Sequence, residues 1–478
     1  MKRATIISTL KNLCTEAHNL FLVIAIPAIL FMLAILPPGW GLDEPMHAAR
    51  AYQISNLDWY PNTLGKYTYG GEISKSLIDA VTHGHKVSNN VNMNAIFLDR
   101  KDDPNPVLTE TLSNHSIKGE PVVYNFGPTG PYSPVPYLPS ALGFGIGRVL
   151  GLSVGTTVFL ARLFQAAVFV LLVYVGLRFM QAHKAKWLMF IIALLPVVVY
   201  QAVTLTADAY TTGAVLLFSG VVYTLFNRKT VMSRRELVWL SVSSMLLMFT
   251  KPSYALLILL VGLLPKRLFR NKKAHILIKS GVLIAGFICL LVVSLIGLRY
   301  GDSILVYKDA TVVDSIGLSD QLIYILSHPM NFIMTLITTV TTYQSWWGVG
   351  MIGTLGYNAI SAPFGLLVLA YVALVITSLD KDKGFSKVVA VWSIIVSALA
   401  ALSILVLLYG TFNQVGYERI EGVQGRYFVP LFFFLLVGIG RLLPITVKIK
   451  STVAPWLHGC VSLLVLYTTF LIYYVALV

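Results

Sequence analysis

The chain has 478 residues, 56% of them hydrophobic and only 12% charged, with a net charge of +15. Soluble domains carry about 25% charged residues, so this composition, with a mean hydropathy of +0.75, excludes an ordinary soluble domain and points to a multi-pass membrane protein. The positive surplus is read as the positive-inside bias of membrane proteins, not as a nucleic-acid surface. Cys14, Cys289 and Cys460 lie in or beside apolar runs and give no disulfide framework.

The basic N-terminus (Lys2, Arg3, Lys11) leads into an apolar run without a small-residue cleavage site, so the first span, 19–36, is expected to be retained. Further spans are predicted at 156–179, 187–205, 209–226, 277–298, 359–379, 388–410, 427–443 and 455–477. The apolar stretch 237–265 is interrupted by Lys251-Pro252, and proline breaks a helix. It reads as two short legs that meet near the outer surface, which brings the expectation to about eleven spans.

Charge orients this arrangement. With the N-terminus inside, the inner segments 1–18, 178–186, 227–236, 266–279, 380–387 and 441–450 hold 22 of the 36 Lys+Arg and 4 of the 21 Asp+Glu. That asymmetry is what the positive-inside rule requires. Segments 134–153 and 330–350 are also apolar, but counting either as a span puts "HKAKW" or "DKDKGFSK" outside, so both are expected to lie at the outer interface. The predicted fold is an all-α polytopic membrane protein, one membrane domain over 1–478, with its N-terminus cytoplasmic and its C-terminus extracytoplasmic. Its outer features are a first loop at 37–155, a second segment at 299–357 and a third loop at 411–427.

Four stretches carry chemistry. In "LDEPMHAARAYQIS", Pro45 suits the first turn of a helix. One acid would cap that helix, yet two stand there, Asp43 and Glu44, with His47 and Arg50 following at three-residue spacing. A carboxylate at this place is a candidate general base. In "FGPTGPYSPVPYLPSALGFGIGRVLGLSVG" the prolines force an extended approach. Tyr132 and Tyr137 could line a sugar site or anchor at headgroups, and Gly143, Gly147, Gly151 and Gly155 recur every four residues as a packing ridge. "LTADAY" places Asp208 in a short turn between spans, as a functional carboxylate or a helix cap. In "VQGRYFVP", Arg426 stands at the mouth of a span, where its fork suits a phosphate or snorkels to lipid headgroups; Lys251 and Arg299 are similar cases. "GVGMIG" has dinucleotide spacing but no strand before it, and His83 and His85 lack further zinc-type ligands.

An acidic pair just after the first span, a long outer loop with interfacial helices and many further spans together resemble the GT-C class of membrane glycosyltransferases. More closely, "LDEPMHAARAYQIS", "YSPVPYLPSALG", "LTADAY" and "VQGRYFVPL", in series over most of the chain, look like the bacterial family of membrane proteins with domain of unknown function 2142. The resemblance implies transfer of a sugar from a polyprenyl-phosphate-linked donor to an acceptor hydroxyl of a glycan, glycopolymer or lipid, outside the bacterial plasma membrane, usually with inversion. Mapped by motif, Asp43 would be the base, and Glu44 would orient it or hold the acceptor. Arg426, with Lys251 and Arg299, would meet the donor phosphate. His47, Arg50, Tyr132, Tyr137, Asp208, Gln424 and Tyr427 would contact substrate. Some GT-C members use a divalent metal; no second set of ligands is visible here, so no cofactor is expected. A transporter or flippase of lipid-linked glycans and a non-catalytic envelope-assembly protein are the rival readings. No internal repeat is visible of the kind transporters often show.

Overall fold

A computed structural model describes residues 15–65, 68–90, 106–300, 317–356, 360–382 and 384–477. Cys14, and the basic residues before it, lie outside the described residues.

The chain begins with α1 (Ala17–Ile35), an apolar helix followed at once by α2 (Glu44–Ser55). The first loop then adds β1 (Asn62–Gly65), β2 (Thr68–Ser74), α3 (Lys75–Asn90), α4 (Pro106–Ser113) and β3 (Pro121–Asn125). The three strands form one antiparallel sheet in the order β1-β2-β3, with Gly70 paired to Asn125 and Ser74 to Pro121. Helix α5 (Leu138–Leu150) follows the proline-rich approach and packs on α6 (Val154–Phe179). Then come α7 (Lys186–Ala193), α8 (Pro196–Ala202), α9 (Ala207–Asn227), α10 (Arg234–Met248), α11 (Pro252–Ala255) with a 3-10 continuation, α12 (Lys272–Tyr300), α13 (Leu318–Ser327), α14 (Pro329–Ile352), α15 (Phe364–Ser378) and α16 (Lys387–Phe412). A 3-10 turn at Gly425–Leu431 runs into α17 (Phe432–Leu442), and α18 (Ala454–Leu477) completes the described chain. A two-stranded hairpin, β4 (Thr354–Leu355) and β5 (Ile360–Ser361), precedes α15.

The protein is thus mainly helical and built for a membrane. Among the described residues, seven helices are long and apolar enough to cross one, or eight if the pair α13 and α14, bent by 108°, acts as one span. The seven match expected spans to within a few residues. The other four of the eleven are segments that break or fall short. Segment 187–205 is not one helix: it divides at Leu194 and Leu195, because Pro196 opens a new helix and cannot continue the old one. The two legs of 237–265 separate at Lys251-Pro252, as the proline requires. Segment 359–379 yields only the 15 residues of α15, about 22 Å of helix against the roughly 30 Å of a bilayer core. The 330–350 segment, expected as an interfacial helix, is the longer arm of the bent pair.

Every residue from Trp187 to Tyr223 is buried. The α7–α8–α9 stretch therefore forms the hub on which α6, α10, α15, α17 and α18 pack. Of the four glycines read as one ridge, only two act together. Cβ atoms on Gly143 and Gly147 would stand 2.4 Å from Ala161 Cα and 2.3 Å from the Thr157 side chain, so α5 sits tight on α6. Gly151 instead ends α5, at φ +65, and Gly155 belongs to α6.

Candidate functional site

The two adjacent acids at the start of α2 have different fates. Asp43 is the N-cap residue, but its backbone lies in the left-handed region (φ 55, ψ 19) and its side chain makes no capping bond. Asp tolerates that region better than most residues, though at some cost. The carboxylate stays 31% exposed and faces Arg426, with Oδ2 3.5 Å from Nη2.

Glu44 is wholly buried. It accepts from the backbone N–H of Gly41 at 2.8 Å and of Leu205 at 2.9 Å. Arg162 on α6 donates to both of its oxygens, from Nε at 2.8 Å and Nη2 at 2.6 Å. The same guanidinium donates to the carbonyls of Leu36 at 2.6 Å and Pro37 at 2.9 Å. One ion pair thus ties together the end of α1, the start of α2, the body of α6 and the turn before α9. Gln165, one turn further on α6, adds a bond to the Thr204 carbonyl and accepts from Ser140 at 2.8 Å. Arg162 was missed as a site residue, although a lone arginine inside the apolar run "VFLARLFQ" is a signal in itself.

A second cluster forms where helices α9 and α10 and the turn before α17 meet. Asp208 sits in the first turn of α9, whose N-cap is Thr206. Its Oδ1 lies 2.5 Å from Lys251 Nζ, and its Oδ2 lies 3.3 Å from both Arg426 Nε and Gln201 Nε2. The Arg426 Nε–H is not aligned for a hydrogen bond and is buried without one. Lys251 reaches the cluster because Pro252 ends α10 beside it. Arg426 reaches it because Gly425 lies flat on α14: a Cβ there would stand 2.2 Å from the Trp347 carbonyl oxygen. Tyr427 places its ring 4.8 Å from Lys251 Nζ and 5.1 Å from the Arg426 guanidinium, and Tyr132 stands 5.1 Å from Lys251.

His47 connects the cluster to α2. Its Nδ1 is 2.8 Å from the Tyr137 hydroxyl, and its ring stacks on Tyr137 at 5.7 Å and Tyr132 at 6.1 Å. Burial pushes its pKa down from 6.5 to about 4, against the opposing charge of Asp43, so it is neutral at pH 7. For Glu44, burial alone would raise the carboxyl. Arg162 and the backbone donors outweigh it and hold the group below its ordinary value of 4.5. Both groups bind protons more weakly folded than unfolded. Their contribution to stability is complete above pH 6.5, falls as His47 protonates in the unfolded chain, and falls further below pH 4.5 for Glu44. Thermal unfolding in detergent should therefore show a midpoint that drops steadily from neutral pH toward pH 4, with the upper part of the drop removed in His47→Gln; a midpoint flat over that range contradicts the assignment.

Two of the sequence candidates lie apart from the cluster. Arg50 is buried and holds the chain leaving α2, donating to Gln53 Oε1 at 2.7 Å and to the Trp59 carbonyl at 2.5 Å, with Tyr60 against its face. Arg299 is exposed at the end of α12 and lies over the ring of its neighbour Tyr300. Gln424 lines a small cavity with Leu42, Val197, Trp346 and Arg426.

Beside the cluster runs an apolar groove of about 430 Å³. It is lined by Ala285, Ile288, Cys289, Val292 and Ile296 of α12, by Phe249, and by Tyr132, whose ring stands 5.1 Å from Lys251 Nζ. A second hollow, of about 680 Å³, opens where α1 ends and α6 begins, with Glu110, Thr156 and Arg162 in its wall. Among the described residues no group of three or more His, Cys, Asp or Glu is placed to hold a metal ion.

Comparison with curated proteins and with solved structures gives no match. One family model, described as predicted membrane protein (DUF2142), matches residues 26–435. That match takes in the second half of α1, the acids Asp43 and Glu44, Arg162, Asp208, Lys251 and Arg426, so the chain that carries this cluster belongs to the DUF2142 family of membrane proteins.

Proposed function

We propose that the protein is a GT-C-type membrane glycosyltransferase that moves a sugar from a polyprenyl-phosphate-linked donor to an acceptor hydroxyl in cell-envelope glycan or glycopolymer modification. The observation that carries this reading is one juxtaposition: a carboxylate that makes no capping bond, Asp43, two cations, Lys251 and Arg426, and an apolar groove that shares Tyr132 with them. A lipid phosphate needs that combination, a trough for the chain and cations for the head. The charge asymmetry of the sequence supports a site on the extracytoplasmic side, with the N-terminus inside and about eleven crossings if the broken and short segments are counted.

In this mechanism Asp43 takes the proton of the acceptor hydroxyl as its oxygen bonds to the anomeric carbon. The bond from that carbon to the donor phosphate breaks, and its electron pair leaves on the phosphate oxygen. Arg426 and Lys251 meet the charge that grows there. Asp208 holds both cations in place. Glu44, saturated by Arg162 and two backbone donors, is a positioning residue that fixes the start of α2. Tyr132, Tyr137, Tyr427 and neutral His47 form an aromatic wall.

The test is incubation of purified protein with a panel of polyprenyl-phosphate sugars, scoring release and transfer. Absence of both across the panel removes the reading, and movement of the lipid-linked sugar across a vesicle without product favours a flippase. Occupancy of the groove is read separately. Cys289 is half-buried in its wall and donates to the Met248 carbonyl. With Cys14 and Cys460 replaced by serine, maleimide labelling of Cys289 should slow severalfold when undecaprenyl phosphate is added, and an unchanged rate argues against this groove.

A further inference from the structure

The charges of the cluster cancel: Lys251 and Arg426 face Asp43 and Asp208. An anion that enters must therefore compete with a carboxylate already present. Asp208 is poorly placed to yield. It is 8% exposed and is held by Lys251 at 2.5 Å, with Arg426 and Gln201 at 3.3 Å. Asp43 is the weak link. Its side chain is 31% exposed, and its one ion pair among the described residues is the 3.5 Å approach to Arg426. It has no capping bond to hold it, and it sits on a backbone at positive φ. On the other side of that contact, Arg426 keeps a buried Nε–H without an aligned acceptor, so its guanidinium gains a bond when it turns toward a better one.

We infer that the cluster closes on itself through these ion pairs, and that an anionic head group enters by taking Arg426 from Asp43. The inference rests on the lipid-phosphate reading of the site. While Arg426 faces it, the Asp43 carboxylate is engaged by that cation and not by an acceptor. Once a phosphate holds Arg426, that carboxylate is released from its one ion pair among the described residues and is free to face the acceptor hydroxyl. The donor lipid thereby arms the base that the acceptor needs, and the two substrates bind in order, donor first.

The exchange has a sign that a simple binding role does not share. If Asp43 competes with the ligand, removing its charge tightens ligand binding while it ends turnover. Binding of undecaprenyl phosphate to the full-length protein in detergent is compared for wild type, Asp43→Asn and Asp43→Gly. Both replacements accept positive φ, so neither strains α2. Each is expected to bind about threefold to tenfold more tightly than wild type, the scale of one partly exposed ion pair, and Arg426→Gln to bind at least about tenfold more weakly. Unchanged or weaker binding by both Asp43 variants, with wild type binding and Arg426→Gln impaired, overturns the exchange and leaves the lipid-phosphate reading in place. No binding by wild type removes both.

Discussion

Replacing Arg162 with alanine lowers the stability of the protein by about 3–5 kcal/mol, the usual cost of stranding one partner of a buried ion pair. The physical reason is the number of groups that lose a partner together. Glu44 is fully buried and would keep only the Gly41 and Leu205 N–H groups. The carbonyls of Leu36 and Pro37 would lose their donor as well. Lysine does not rescue the site, because an ammonium cannot present a fork to a carboxylate and reach two carbonyls from the same plane. The expected observation is a large fall in the unfolding midpoint in detergent and loss of a monodisperse peak on gel filtration, in Arg162→Ala and Arg162→Lys alike. A wild-type midpoint in either variant would mean that the clamp is not what joins α1, α2 and α6.

The neighbouring acid behaves in the opposite way. Asp43→Asn is expected to cut sugar transfer by about 10²–10⁴, the usual contribution of a general base, while stability changes by no more than about 1 kcal/mol, the scale of one partly exposed ion pair. Asparagine has nearly the same shape and suits the left-handed backbone at φ 55, so the variant isolates the charge. The two outcomes separate the adjacent acids: removing the arginine that holds Glu44 unfolds the protein, and removing the charge of Asp43 only silences it. Transfer at the wild-type rate in Asp43→Asn would falsify the general-base role whatever the stability data show.

The different surroundings of Asp43 and Glu44 were not legible in the local sequence, although the family resemblance implied different roles for them. Both are acids at a helix start, and local rules offer each the same capping role. What separates them is Arg162, 118 positions further along, and the left-handed turn that points Asp43 away from its own helix. Local signals did better where one residue dictates geometry. Pro252 located the break that presents Lys251, and the four-residue glycine spacing found the contact of α5 with α6, although it ran two glycines too far by including Gly151 and Gly155. The sheet of the first loop was missed because β2 reads "TYGGEIS": two adjacent glycines lower β propensity, and its partner β3 lies some fifty residues away. The meeting of Asp208, Lys251 and Arg426 is a long-range event of the same kind, for which each motif suggested a charge in need of a partner and none named it.

The burial of every residue from Trp187 to Tyr223 changes what apolarity means along this chain. Helix α12 is the contrast: only 11% of its most apolar window is covered by protein. Hydropathy thus reports two different solvents, hydrocarbon around α12 and tightly fitted side chains around α7 to α9. In the first setting one greasy residue substitutes for another at little cost. In the second, shape decides, and a lost methylene leaves a void that neither lipid nor water fills.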